Sequence, residues 1–264
     1  MVVSPNALEL KLEKAAADPA SRPEFYKALL EADVFVIGFT DSTVPVEGHF
    51  TVPEGGAHCS IVSWTRNDGT PTIPFFTSFE ALQRALTEET QYLAIPARTF
   101  LEMTQGSFLV LNPMSPHGKE FFPDEVKALL ETGMNHEPIT RVVKKETEVL
   151  LGQPANYPVE MVSSLTKLLT KHSTVKAAYL CQMYNPEMGD NPVLVIGLEG
   201  EGNLIDAIKE AGSVATETVP HGQPVDFAVL KRGGKGISEY MFESVKPFYE
   251  RTWANKMRSL FGFH

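Results

Sequence analysis

Chemistry is densest in the stretch Lys231-Arg232-Gly233-Gly234-Lys235-Gly236-Ile237-Ser238. Three glycines and three cations stand there ahead of an amphipathic run, in a chain whose formal net charge is -10. The free N–H groups of a helix start, flexible glycines and positive charge together favour an anion. The expected donors are the backbone N–H groups of Gly236, Ile237 and Ser238, with the Ser238 hydroxyl alongside and Lys235 supplying charge. Gly233 and Gly234 let the chain turn closely enough for an anion to approach. The G-x-x-x-x-G-K-[ST] spacing of a P-loop is absent, and no dinucleotide fingerprint fits. A plain surface connector, its cations paired with the protein's own acids, explains the same residues. The sequence favours that plainer account and leaves the anion site open.

Other reactive residue types are poorly placed. Cys59 and Cys181 both lie in apolar runs, where a free cysteine behaves as a small buried hydrophobe. His58 and Cys59, adjacent on a strand, point to opposite faces, and no further cysteine stands at ligand spacing, so no metal site is expected. The histidines at 49, 58, 117, 136, 172, 221 and 264 fall mainly at turns and ends. No G-x-S-x-G occurs, and Gly212-Ser213-Val214 reads as a helix end rather than a nucleophile turn. Carboxylates are abundant, but number alone identifies no acid–base pair. No catalytic residue and no cofactor is therefore expected. The rival clue is aromatic: Phe248, Tyr249, Trp253, Phe261 and Phe263 crowd the C-terminal end beside Lys256 and Arg258. Phe248 and Tyr249 are expected to pack into a core, whereas Trp253, Phe261 and Phe263 are candidate anchors for a protein partner.

The elements that must position these residues follow from composition and periodicity. A length of 264 residues suits two domains of ordinary size, and 43% hydrophobic against 21% charged residues is enough for real cores. An acidic chain repels phosphate backbones and anionic lipid, which disfavours nucleic-acid and membrane-surface binding. No apolar run approaches the roughly 20 residues of a membrane helix, and the first residues lack the basic-then-apolar pattern of a signal peptide. A cytoplasmic protein is expected.

Along the first half, Asn6 caps a helix, Pro23 opens a second, and residues 34–37 form a buried strand. Residues 38–56 read as a long hairpin or loop. Residues 58–64 and 72–76 are strands around the turn Asn67-Asp68-Gly69. Ser78 then caps a helix carrying Phe79, Leu82 and Leu86 on one face. Strands at 92–96 and 107–111 enclose a short helix, and another helix covers 124–130. Prolines and glycines punctuate residues 131–158 around one strand at 146–151. The second half offers helices at 158–172, at 204–211 closed by Gly212, and at 237–248. Its strands are expected at 175–183, 193–198 and 225–230.

Several ordered segments carry a resemblance. They are Leu12-Glu13-Lys14-Ala15-Ala16-Ala17, Arg22-Pro23-Glu24-Phe25-Tyr26, Ile73-Pro74-Phe75-Phe76-Thr77-Ser78-Phe79-Glu80-Ala81-Leu82, Pro96-Ala97-Arg98-Thr99-Phe100-Leu101, Ala211-Gly212-Ser213-Val214-Ala215-Thr216, Lys235-Gly236-Ile237-Ser238 and Pro247-Phe248-Tyr249-Glu250-Arg251. Over nearly its full length the chain resembles the bacterial SseB (enhanced serine sensitivity) family, described as an N-terminal and a C-terminal SseB domain. The resemblance brings no catalytic residues or cofactors with it. The expected fold is α+β: two small domains, each a mainly antiparallel sheet with helices packed against it, at 1–135 and 158–264 with a boundary region at 136–157. The expected function is that of a non-enzymatic accessory or regulatory protein acting through an unidentified protein partner, with the family name hinting at serine or sulfur metabolism. A small-anion or metabolite sensor using residues 231–238 is the alternative, and an enzyme of unknown reaction the third choice.

Overall fold

The computed structural model describes residues 6–40, 59–136, 149–186 and 192–251. The chain divides into two compact units, Met1–Asn135 and His136–His264. Each joins helices to one mixed sheet, so the α+β class holds.

In the first unit α1 (Ala7–Ala17) starts at Asn6, whose side chain accepts from the Glu9 N–H at 2.8 Å while Glu9 accepts from the Asn6 N–H at 3.1 Å. That reciprocal pair satisfies two donors the helix itself cannot. α2 (Arg22–Glu31) has Pro23 in its first turn and runs into β1 (Asp33–Thr40). β2 (Cys59–Ile61), β3 (Trp64–Thr65) and β4 (Pro71–Phe76) follow, with Gly69 at φ 85 in the turn before β4. α3 (Phe79–Ala85) is capped by Ser78, whose hydroxyl accepts from the Ala81 N–H at 3.0 Å. β5 (Tyr92–Pro96), α4 (Ala97–Met103), β6 (Phe108–Leu111), β7 (Lys119–Phe121) and α5 (Pro123–Thr132) complete the unit.

The seven-stranded sheet runs β2-β1-β4-β6-β7, with β5 also on β1 and β3 on β4. β4 and β6 are parallel, and the other pairs are antiparallel. Alternation along β1 assigns its two faces. Val34 and Val36 join Phe75, Leu109, Leu111 and Phe121 in the main core with α1, α2, α4 and α5. Ile37 and Phe76 turn the other way, onto Ala81 and Leu82 of α3.

The second unit contains β8 (Leu150–Gly152), α6 (Val159–Thr170), β9 (Val175–Tyr184), β10 (Val193–Gly200), α7 (Ile205–Thr218), β11 (Val225–Val229), α8 (Ile237–Ser244) and β12 (Tyr249–Glu250). Its sheet order is β11-β10-β9-β12, with β8 also on β9. β10 and β11 are parallel because α7 crosses between them. Ala177, Tyr179, Cys181 and Met183 alternate along β9 and form a core with Met241 and Val245 at α8.

Two helix ends differ from the sequence reading. α7 does not stop at Gly212 but runs through it to Thr218. Gly212 faces β11, where an added Cβ would lie 4.0 Å from the Phe227 ring. Close packing of helix on sheet there, with Ser213, Val214 and Ala215 also buried, outweighs a helix cost for glycine of about 1 kcal/mol. The last helix ends at Ser244 rather than at 248, because Val245 is extended at φ -120 and the chain re-enters the sheet as β12. Tyr249, on that strand, is buried as expected and Phe248 is half-buried.

Candidate functional site

The glycine- and lysine-rich loop closes on itself. Gly234 donates to the Lys231 carbonyl at 2.9 Å, and the Lys231 N–H donates to Ser238 Oγ at 3.3 Å. Gly233 and Gly236 take φ 73 and 69, a region open mainly to glycine. A Cβ on Gly234 would sit 2.9 Å from the Lys231 carbonyl oxygen, so the turn alone accounts for that glycine. Gly236 is the N-cap residue of α8, which places the N–H groups of Ile237 and Ser238 in its first turn. The structure thus brings Gly233, Gly234, Lys235, Gly236, Ile237 and Ser238 into one turn. Arg232 turns away, donating to Glu199 at 2.8 and 3.0 Å and resting 4.4 Å from the centre of the Phe242 ring. Trp253, Phe261 and Phe263 lie outside the described residues.

Burial disfavours the thiolate form of both cysteines. Cys181 is fully buried, and burial pushes its thiol up to about 11. Cys59, half-buried on β2, is also pushed up by burial. Among the described residues no three His, Cys, Asp or Glu side chains gather where a metal could be held.

The most connected polar cluster was not expected from any motif. It lies where β4 turns into α3 and β6 ends. Glu9 accepts from Ser78 Oγ at 2.6 Å and from Thr77 Oγ1 at 3.3 Å, and Asn6 Nδ2 donates to the Thr77 carbonyl at 2.8 Å. From the other side Asn112 accepts the Thr77 N–H at 2.8 Å and donates to Thr77 Oγ1 at 2.8 Å. Asn112 has φ 48 and Met114 φ 66, the positive values found on non-glycine residues among those described. Both belong to the loop between β6 and β7, and backbone of this kind clusters at ligand-holding loops. Beside it opens a cavity of about 150 Å³, lined by Glu9, Leu12 and Glu13 of α1, Arg84 of α3, and Asn112, Ser115, Pro116 and His117.

A second feature lies on the α3 face of the first sheet. Phe35, Phe79 and Tyr92 form an aromatic group with ring centres 6.5, 6.0 and 5.1 Å apart. Phe79 is 37% exposed, Tyr92 44%, and Phe39, on the same face of β1 by alternation, 49%. α3 is the reason. Its 7 residues extend about 10 Å, whereas five neighbouring strands span about 19 Å.

The two units correspond to two known family domains. Residues 8–128 match the SseB protein N-terminal domain and residues 143–251 the SseB protein C-terminal domain. The protein SseB of Escherichia coli (strain K12) is 39% identical over 253 residues, covering 96% of this chain and 95% of that protein. The protein SseB of Shigella flexneri matches with the same identity and coverage. The chain belongs to the SseB family. No solved structure matches it.

Proposed function

We propose that the protein is a non-enzymatic accessory or regulatory protein of the cytoplasm that acts by docking a protein partner on the α3 face of its first sheet. The observation behind this reading is the aromatic group in which exposed Phe79 and Tyr92 lean on half-buried Phe35. Exposed aromatics grouped in this way supply anchor energy at interfaces, while isolated exposed apolar residues need no explanation. Acidic residues adjoin them: Glu80 follows Phe79, Glu88 and Glu89 precede Tyr92, and Asp33 shares the face of Phe35. The partner this surface fits presents an apolar patch with a basic rim. The test compares Phe79→Ser/Tyr92→Ser with the parent chain in quantitative capture from the native cell. The recovered partner is then titrated against both proteins at rising salt. The double variant is expected to bind at least tenfold more weakly, and salt to weaken the parent complex. Equal recovery by parent and variant would dismiss this face.

A second reading places a small anion at residues 233–238. It is supported by the two left-handed glycines that bracket Lys235 directly before α8. The Ser238 hydroxyl, which accepts from Lys231, keeps its own proton to donate. Phosphate and sulfate are expected to shift the amide signals of residues 233–238, and Lys235→Ala to weaken the effect about tenfold. Unmoved amides at millimolar anion would make the loop a connector.

A further inference from the structure

We infer that the cavity beside the β6–β7 loop binds a small zwitterion, a molecule with a carboxylate and an ammonium a few bonds apart. The inference is independent of the docking face. Four observations carry it.

The first is position. β4 and β6 are parallel neighbours, with Thr72 to Phe75 beside Phe108 to Leu111. Crevices beyond the carboxyl ends of parallel strands gather ligands, because the chains leaving the sheet diverge there. Asn112 follows β6 at this end and Arg84 belongs to α3, the helix that follows β4.

The second is charge of both signs on separate elements. α1 brings Glu9 and Glu13, α3 brings Arg84, and the loop brings the Ser115 hydroxyl and the His117 ring. A simple anion would leave the carboxylates repelling it, and a simple cation would meet Arg84. A zwitterion answers both, its carboxylate at Arg84 and Ser115 and its ammonium at Glu13.

The third is that these groups have little else to do. Among the described residues Glu13 and His117 make no hydrogen bond or ion pair, and Arg84 makes a single bond, to Ser115 Oγ at 3.3 Å. Elsewhere in the same unit, Arg66 pairs with Glu120 and Lys119 with Glu125, each at 2.8 Å. Glu9 differs, because its oxygens already hold Ser78, Thr77 and Asn6. It contributes field and shape, and Glu13 is the carboxylate available to a ligand.

The fourth is size. About 150 Å³ accommodates a molecule of benzene dimensions, the scale of a short amino acid. A nucleotide is several times larger. Leu12 and the Pro116 ring offer its aliphatic wall, suited to a short side chain.

The probes are the common L-amino acids, with lactate lacking the ammonium and ethylamine lacking the carboxylate. They are added to the full-length protein while the amide signals of Arg84, Ser115 and His117 are followed by NMR. At least one short amino acid is expected to give saturable shifts with a dissociation constant of roughly a millimolar or tighter. Lactate and ethylamine are expected to bind about tenfold more weakly or worse. Arg84→Ala and Glu13→Gln change exposed side chains, so both variants should keep the parent's amide dispersion and Tm. Each is expected to weaken amino-acid binding about tenfold. Two results with the parent protein would each overturn the inference: no saturable shift from any amino acid at tens of millimolar, or equal binding of lactate or ethylamine. Undiminished affinity in both folded variants would do the same. Loss of partner capture in the Phe79→Ser/Tyr92→Ser protein would leave this outcome unchanged, so the two readings fail separately.

Discussion

Replacing Arg251 with alanine is expected to destabilise the second unit by about 2–3 kcal/mol. The half-buried guanidinium reaches back over the C-terminal end of α6. Its Nη2 donates to the carbonyls of Leu169, Thr170 and His172 at 3.2, 3.2 and 2.6 Å, and its Nε to the Val175 carbonyl at 2.9 Å. The last carbonyls of a helix have no partner within it, and a cation there also opposes the helix dipole. One side chain therefore closes the end of α6, fixes the turn into β9 and holds the chain leaving β12. The Arg251 N–H adds a bond to the Lys176 carbonyl at 2.7 Å, which any residue but proline would keep. Arg251→Lys should recover only about 0.5–1 kcal/mol, since a point charge satisfies the dipole but cannot reach carbonyls in several directions. Denaturant unfolding of the three proteins gives the magnitudes. Hydrogen exchange should place the loss of protection in α6 and β9. A midpoint unchanged in Arg251→Ala would show that water caps this helix end equally well.

How much of this was legible in the sequence depends on the distance over which each feature is decided. Local features were. The caps at Asn6 and Ser78, the Asp68-Gly69 turn and the apolar runs of β1 and β9 are written within a few residues. At α7 a local rule is overruled by packing: Gly212 looks like a terminator until Phe227, on another element, is seen against it. β7 and β12, with 3 and 2 residues, are too short to show any period.

The sites were legible in proportion. The turn at 233–238 is legible because its residues are contiguous. What the sequence could not say was that Arg232 belongs to Glu199, 33 residues away. Cys181 was placed correctly as a buried group by the apolar run around it. The polar cluster beside the cavity escaped altogether. Glu9, Thr77 and Asn112 stand 68 and 35 positions apart and form no motif. The capping-box spacing of Asn6 and Glu9 was there to be read, but it predicts only a helix start. That the same carboxylate would also hold Ser78 depends on α1 lying against the end of β4, which no spacing encodes.

Asn112 is where this cluster is most exposed to a single change, and Asn112→Ala is expected to cost about 3–4 kcal/mol. The side chain is buried, at 3% exposure, and both ends of its amide are committed to Thr77. Alanine would strand the Thr77 N–H in a buried setting, at about 1–3 kcal/mol, and remove the donor to Thr77 Oγ1. It would also have to hold φ 48, a conformation asparagine tolerates and alanine resists by roughly 1 kcal/mol. Asn112→Gly separates these contributions. Glycine accepts the left-handed backbone without strain but leaves Thr77 equally unpartnered, so it should be the milder variant by about 1 kcal/mol. Equal losses in the two would mean that the backbone conformation is not under strain. A loss below about 1 kcal/mol in both would mean that water replaces the amide. The cavity offers a readout beyond stability, because Ser115 donates its N–H to the Asn112 carbonyl at 3.1 Å and is placed by it. Under conditions where both variants are fully folded, amino-acid binding should fall further in Asn112→Gly than in a surface control such as Lys127→Ala, since a loosened loop no longer presents Ser115 and His117 opposite Glu13.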